Sequence, residues 1–540
     1  MLIDAKTLSG DQTISADVCI VGAGPAGIVL TGELAARGFT VALVESGGVE
    51  DDAEAHSLDT AIVIGGEYTD PIWIRCRGFG GTSRMWNTLI DGKPFAKFVP
   101  LDPIDFQQRD WLPHSGWPFQ FAHLAPYYER AHQLCGLGPF RYGAADWNEP
   151  GASAWNTPGG PIHSAVYQLA PATLYSKVAL DDVRTSEKIQ CLLHATVTEI
   201  DIHPDGRKIT GIKIGTLCGA KACVTASIFV LAAGGIENAR LLLASNRVCT
   251  AGIGNQNDLV GRYLMDHPVC HFTQMFVTNR RVFDESDFYD LHQVRGIPVL
   301  GRLALDEEIL EREKILNSSI VVYPRPPRYR SAGLEAVRRL KAARTEGAAA
   351  GAMLRDAGTV LLNLPDIVAY ALHADPAHIF DQHYWSRPEN NADRYVTFEP
   401  QFYVEQAPEP ENRIKLSSER DRLGMAKSEI HWRWGSFDQR SVERTREIFD
   451  AELRRLGLGK MEVLGSRRFV PSAHHPAGTT RMHVDPRRGV VDENCRVHEI
   501  ENLFIAGASV FPTCGYANPM LTIVAMSLRL AEHLALSRER

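Results

Sequence analysis

A strand, a glycine turn, a helix and a second strand, all within residues 17–45, constrain this chain more than any other stretch. Asp17-Val18-Cys19-Ile20-Val21 is a short apolar run of the kind that a parallel strand buried on both faces makes. It leads into Gly22-Ala23-Gly24-Pro25-Ala26-Gly27 and then a helical stretch that closes on Gly38 as a C-cap glycine. Residues 40–44 supply the next strand, which ends at Glu45. Gly22 permits the tight turn, Gly24 lets the backbone approach a pyrophosphate, and Gly27 lets the helix pack on the strand. Glu45, 18 residues past Gly27, is placed to accept hydrogen bonds from an adenosine ribose. The unit predicts an α/β, Rossmann-like dinucleotide-binding domain, and it serves NAD and FAD equally.

The rest of the chain must do something other than bind a dinucleotide. At 540 residues it exceeds one small core, so two or more domains are expected. A net charge of −8 argues against nucleic acid, since phosphate backbones need clustered Lys and Arg. No apolar run reaches the roughly 18–20 residues a bilayer span needs, and the first residues lack a basic region ahead of an apolar one. Ten cysteines are scattered, with Cys218 and Cys223 the only close pair and no histidine at zinc spacing. Reduced thiols, no metal site and a cytoplasmic setting are the expectations.

A second glycine-rich loop follows, Arg77-Gly78-Phe79-Gly80-Gly81-Thr82-Ser83-Arg84-Met85-Trp86-Asn87. Backbone rich in glycine here suggests close packing on another flat or phosphorylated part of a ligand. Near the C-terminus come His474-His475-Pro476-Ala477-Gly478-Thr479-Thr480 and Pro512-Thr513-Cys514-Gly515-Tyr516-Ala517-Asn518-Pro519. The histidine pair should sit at a turn or strand end. Asn518 reads as the cap of a last helix, with Pro519 at its first position.

These blocks together resemble the glucose-methanol-choline (GMC) flavoprotein oxidoreductases. Further matches are Gly116-Trp117-Pro118, the stretch from Phe229 through Ala233-Gly234-Gly235, and Val260-Gly261-Arg262-Tyr263-Leu264-Met265-Asp266-His267-Pro268. Glu405-Gln406 ahead of Asn412-Arg413, and Ile505-Ala506-Gly507-Ala508-Ser509, complete the series. Within the family the chain is most similar to pyranose oxidases and bacterial C-glycoside 3-oxidases. The resemblance implies FAD, held by Gly22, Gly24, Gly27, Glu45, Gly80, Gly81, Thr82, Met85, Trp86, Asn87, Val197 (by its backbone, at the adenine), Ala233, Gly507, Ala508, Asn518 and Pro519. Many relatives attach the flavin to a histidine where this chain has Met85. A thioether cannot make that bond, so noncovalent FAD is expected.

The resemblance also implies a division of labour. Residues 1–100, 185–270 and 470–540 form a discontinuous FAD-binding domain. Residues 101–184 and 271–469 form an α+β substrate-binding domain, with a helical insertion at about 331–375. The basic residues there (Arg328, Arg330, Arg338, Arg339, Lys341, Arg344, Arg355) read as a solvated helix face rather than a membrane-surface helix. His475 is the implied base and Asn518 its hydrogen-bonding partner. His474 drops out, because neighbours in an extended segment face opposite sides. His267 reads as structural, and His431, Trp432 and Trp434 as a sugar-stacking wall or as core.

The expected reaction oxidises a secondary hydroxyl of a sugar or glycoside to a ketone. His475 takes the proton while a hydride goes to flavin N5, and O2 or a quinone reoxidises the flavin. Oxidation of a primary hydroxyl, in an aminoglycoside intermediate or an aliphatic alcohol, is the alternative. A flavin-containing binding protein without turnover is a third reading.

Overall fold

The computed structural model describes residues 1–8, 12–65, 68–149, 151–327, 331–346, 350–373, 384–470 and 474–538. The 17–45 unit folds as its pattern predicts. Strand Gln12–Val21 and strand Val41–Val44 pair in parallel, and helix Pro25–Ala36 joins them, followed by Gly38 at φ 86°. They belong to an eight-stranded sheet. Its path runs Leu2–Asp4, Ile189–Leu193, Val41–Val44, Gln12–Val21, Lys221–Leu231, Ile209–Gly215 and Thr196–Ile202, with Leu503–Ile505 pairing in parallel with Lys221–Leu231. The stretch 192–202, which alternates as one strand in sequence, is broken at His194. That residue takes φ 54°, in the left-handed region a continuous strand cannot contain.

A nine-stranded sheet forms the second layer. It is antiparallel throughout, along the path Gly459–Val470, Val269–Val277, Thr397–Val404, Ser318–Arg325, Ile297–Leu305, Ile162–Pro171, Lys93–Phe98 and Thr88–Ile90, with Leu291–Val294 pairing to Ile297–Leu305. Period-two alternation divides its faces. Phe398, Phe402, Ile320, Val322, Val299 and Leu303 build one apolar core. Tyr403, Tyr323, Tyr167, Leu300 and Val321 join the core of the first sheet. Within the stretch 1–100, Thr88–Ile90 pairs with Lys93–Phe98, and Lys93–Phe98 in turn pairs with Ile162–Pro171 of the second sheet.

Helices Ala332–Glu346, Ala350–Leu362 and Leu364–His373 occupy the expected insertion. Arg328 and Arg330 lie outside the described residues. Arg339, Lys341 and Arg355 are exposed there, and they share the outward surface with Leu354, Leu361 and Leu362 at 75%, 72% and 85% exposure. Helix Met520–Arg538 is long and apolar enough to cross a membrane, which the sequence reading of apolar runs missed. It is 61% buried over that window and packs against Pro25–Ala36 and Phe121–Cys135, as a core helix does. All ten cysteines are unpaired.

Candidate functional site

Three glycine turns meet at the centre of the first sheet. Gly22 is at φ 105°, and a Cβ there would stand 2.6 Å from the Ala232 carbonyl oxygen, so the first and third turns touch backbone to backbone. A Cβ on Gly27 would fall 1.9 Å from the Gly22 oxygen, which is the helix-on-turn contact the fingerprint requires. The second loop lies on the first. Gly80 N–H donates to the Ala23 carbonyl at 2.8 Å, and a Cβ on Gly81 would sit 2.9 Å from Gly24 Cα.

These turns open onto a cavity of about 500 Å³. Gly22, Gly24, Glu45, Gly81, Thr82, Met85, Trp86, Asn87, Val197, Ala233, Gly507, Ala508, Asn518 and Pro519 all border it, and so does His475. Gly27 and Gly80 stand behind that lining. The wall has the features a dinucleotide needs. Side-chain-free backbone stands at the turns, a buried carboxylate lies beyond the second strand, and Trp86 braces the second loop edge-on to Phe98 and Tyr175.

Glu45 accepts from Ala23 N–H at 2.8 Å and Gly47 N–H at 2.9 Å. Burial raises its carboxyl pKa, while those two amides pull it the other way. Beside it runs an ion network that ties the second loop to the third turn's helix. Arg77 meets Asp59 at 2.9 Å and Glu237 at 3.0 Å, and Arg75 meets Glu237 at 3.0 Å. Burial opposes the charge on Glu237, but Arg240, Arg77 and Arg75 outweigh it and hold the carboxyl at about 2.

The C-terminal segments are held just as firmly. A Cβ on Gly235 would lie 2.2 Å from the Pro476 carbonyl oxygen, and Thr479 Oγ1 donates to the Gly235 carbonyl. The third turn therefore fixes the backbone beside His475. Thr513 Oγ1 donates to the Asp105 carbonyl at 2.5 Å and receives Trp117 Nε1–H at 3.1 Å, which anchors the approach to Asn518. The last helix begins at Met520, one residue later than expected, so Pro519 stands immediately before it and accepts from Ile523 N–H at 2.8 Å.

His475 has a partner that the sequence reading assigned to structure. His475 Nδ1 lies 2.6 Å from His267 Nε2, and the rings are near parallel at 22°. Asp266 braces both residues: it accepts His267 N–H at 2.9 Å, His475 N–H at 3.3 Å and the Tyr68 hydroxyl at 3.0 Å. Burial lowers the pKa of His475 well below that of a free imidazole, helped by the neighbouring His267, His474 and Lys97. Burial likewise brings His267 down to about 3. Both rings are neutral at ordinary pH.

One sequence expectation is corrected here and one open alternative is decided. His474 borders the same cavity as His475. Its φ of 69° places it in the left-handed region, so the alternation of an extended strand does not apply. The sequence leaves two readings open for His431, Trp432 and Trp434, a sugar-stacking wall or core; none of the three residues borders the cavity. Trp432 is buried against Tyr68, with its indole N–H donating to Gln406 at 3.0 Å. The polar floor comes instead from the second sheet and includes Lys97 and His271, which no motif distinguishes.

Residues 408–527 match the family described as GMC oxidoreductase, and residues 17–250 match FAD dependent oxidoreductase. The chain is 30% identical over 312 residues to the fructose dehydrogenase large subunit of Gluconobacter japonicus, covering 57% of this chain and 47% of that one. It thus spans about half the length of that relative. It is 25% identical to the 6'''-hydroxyparomomycin C oxidase of Streptomyces lividus, over 97% of this chain and 92% of the other. Against the C-glycoside 3-oxidase of Arthrobacter globiformis, identity is 38% over 119 residues, or 21% of this chain and 22% of that one. A crystal structure of formate oxidase superposes with a TM-score of 0.53 at 18% identity, over 98% of this chain and 100% of the other, and so shares the fold. Fold, glycine turns and matches agree: residues 17–250 carry an FAD dependent oxidoreductase domain and residues 408–527 the C-terminal domain of a GMC oxidoreductase.

Proposed function

We propose that the chain oxidises a hydroxyl of a sugar or glycoside, with His475 as the base and Asn518 holding the reacting oxygen. The reading rests on one observation: His475 and Asn518 border the cavity that the three glycine turns open onto. FAD would lie against Gly22, Gly24, Gly81, Ala233 and Gly507, untethered at Met85, and supplies when bound the two-electron acceptor for the carbinol C–H. Residues 1–100, 185–270 and 470–540 are read as its domain, and the second sheet as the substrate floor.

The chemistry asked of the protein is a proton transfer. His475 takes the hydroxyl proton at Nε2, which requires Nδ1–H to donate to His267 Nε2. His267 then fixes the tautomer and stays hydrogen-bonded to the imidazolium that forms. The low basicity of the pair keeps His475 unprotonated and ready, at the expense of driving force. Asn518 offers an amide to the same oxygen without competing for the proton. Similarity to sugar and aminoglycoside oxidases supports a carbohydrate alcohol; a secondary position, a ketone product, O2 or a quinone as acceptor and a cytoplasmic setting complete the proposal. The near full-length match to an aminoglycoside oxidase favours a primary hydroxyl as the second reading.

The test is anaerobic reduction of the purified holoenzyme by a panel of sugars and glycosides, followed by product analysis. Bleaching of the flavin band with a new ketone supports the proposal. An aldehyde product favours the second reading, and no bleaching by any carbohydrate rejects both.

A further inference from the structure

The floor of the cavity carries a charge that the oxidation does not need. Lys97, on strand Lys93–Phe98, borders the cavity and is part-buried there. Its ammonium donates to the Tyr403 hydroxyl at 3.1 Å and stands over two rings, 4.9 Å from the centre of Tyr403 and 5.6 Å from that of Tyr167. Among the described residues no carboxylate lies within ion-pair distance of it. Arg302 shares the Tyr167 ring, 5.3 Å from its centre, and stacks on Tyr516 at 5.0 Å. It is 3% exposed, and among the described residues its hydrogen bonds go to neutral oxygens, including the Val166 carbonyl and the Ser319 hydroxyl, each at 3.4 Å.

The acids nearby are already engaged. Glu399, on the same sheet face, is taken up by Arg325 at 2.6 Å. Asp102, which acts on Arg302 from beyond ion-pair range, receives the Asn317 amide at 3.0 Å. Two cations sharing one aromatic ring, neither neutralised by a contacting carboxylate, are costly to bury unless a ligand completes them. Tyrosine hydroxyls and ring faces hold an ammonium in place without cancelling its charge, so it remains available to an anion.

Lys97 is also close to the base. Its charge is among the causes that lower both His475 and His267. Lys97 and His475 border the same cavity, so an anion on Lys97 can belong to a molecule that also reaches His475, and it would screen that charge from the proposed base.

We propose that Lys97, backed by Arg302 and framed by Tyr167 and Tyr403, is a subsite for a carboxylate or similar anionic substituent on the substrate. This deepens the carbohydrate reading and rests on it. It selects acidic sugars, such as uronic acids or their glycosides, over neutral ones, and it disfavours the polycationic aminoglycosides that some relatives oxidise.

Binding can be read without turnover. The purified holoenzyme, its flavin first reduced with dithionite so that no sugar can be oxidised, is titrated anaerobically with glucuronate, glucose and glucosamine by calorimetry. Glucuronate should bind at least tenfold more tightly than glucose, and glucosamine more weakly than either. Lys97→Met should erase the tenfold preference while leaving the glucose response, and Lys97→Arg should keep most of it. Equal binding of the three sugars by the wild type overturns the inference, as does a preference that Lys97→Met retains or a wild type that binds no glucuronate. If Lys97→Met loses its flavin, the wild-type ranking and Lys97→Arg still decide. Tight glucuronate binding with no oxidation of any sugar would reject the proposed reaction and leave the subsite standing. Oxidation of sugars with no glucuronate preference would do the reverse.

Discussion

His475 Nδ1 lies 2.6 Å from His267 Nε2, in a pair of near-parallel rings clamped through the backbone by Asp266. The proposed base is useful only in the right tautomer, and this contact is the one that would select it.

His475→Ala should keep bound flavin and slow substrate reduction by about 10²–10⁴-fold, the usual range for a general base. His267→Phe removes the acceptor at Nδ1 and should also slow reduction, while His267→Gln, whose amide oxygen can accept the same proton, should restore part of the rate. Stopped-flow reduction at several pH values checks both. A Gln variant no better than Phe would assign His267 to packing alone.

Acid should destabilise the protein through the same pair. His267 has a pKa of about 3 in the fold, against about 6.5 for an unfolded histidine. The native state binds fewer protons between those values, so stability is complete above about pH 6.5 and is lost as pH falls toward 3. The slope reaches ~1.4 kcal/mol per pH unit for this one group. Thermal melting of the holoenzyme from pH 7 to 4 should show a shallower acid decline in His267→Phe than in wild type. Parallel curves would contradict the assignment.

Flavin should leave with acid. Trichloroacetic acid precipitation should release FAD into the supernatant, because Met85 offers no histidyl link at the second loop. Colour retained in the pellet would point to a different covalent attachment.

Gly235→Ala tests the backbone that carries the base. Its new Cβ would fall 2.2 Å from the Pro476 oxygen, so the chain must shift beside His475. A loss of about 1–3 kcal/mol in stability is expected, with a fall in reduction rate beyond it. Urea denaturation and single-turnover reduction on the same preparation separate the two effects.

Breaking the deepest ion pair should be more damaging than either histidine change. Arg109 and Glu405 meet in two contacts at 2.8 and 2.5 Å, with side chains 1% and 0% exposed. Glu405→Gln leaves the guanidinium without a counter-charge and should cost about 3–5 kcal/mol, read by denaturant unfolding.

Local pattern carried the reading wherever a residue's role depends on its neighbours in sequence. The turn at Gly22, the packing at Gly27, the strand ending at Glu45 and the chain's final long helix each follow from spacing and side-chain size. The list of cavity-lining residues came from the resemblance of these blocks to the GMC family, and backbone sterics alone marked only the glycine turns within it. Alternation failed at His194 and His474, where a left-handed residue interrupts the extended chain and turns side chains without any mark in the residue types. Trp432 stayed undecided for a related reason: an indole serves a sugar wall and a core equally well, and only its burial and its contact with Gln406 decide between them.

The sequence by itself determined the dinucleotide fold and the residue types at its turns, since backbone sterics and strand–helix periodicity act over a few residues. Only the tertiary structure decided which ring faces His475 and which charges line the floor. His267 is 208 residues from His475, and Lys97 is 306 residues from Tyr403. Those pairings are made by sheet packing, where electrostatics depends on distance and burial rather than on position along the chain.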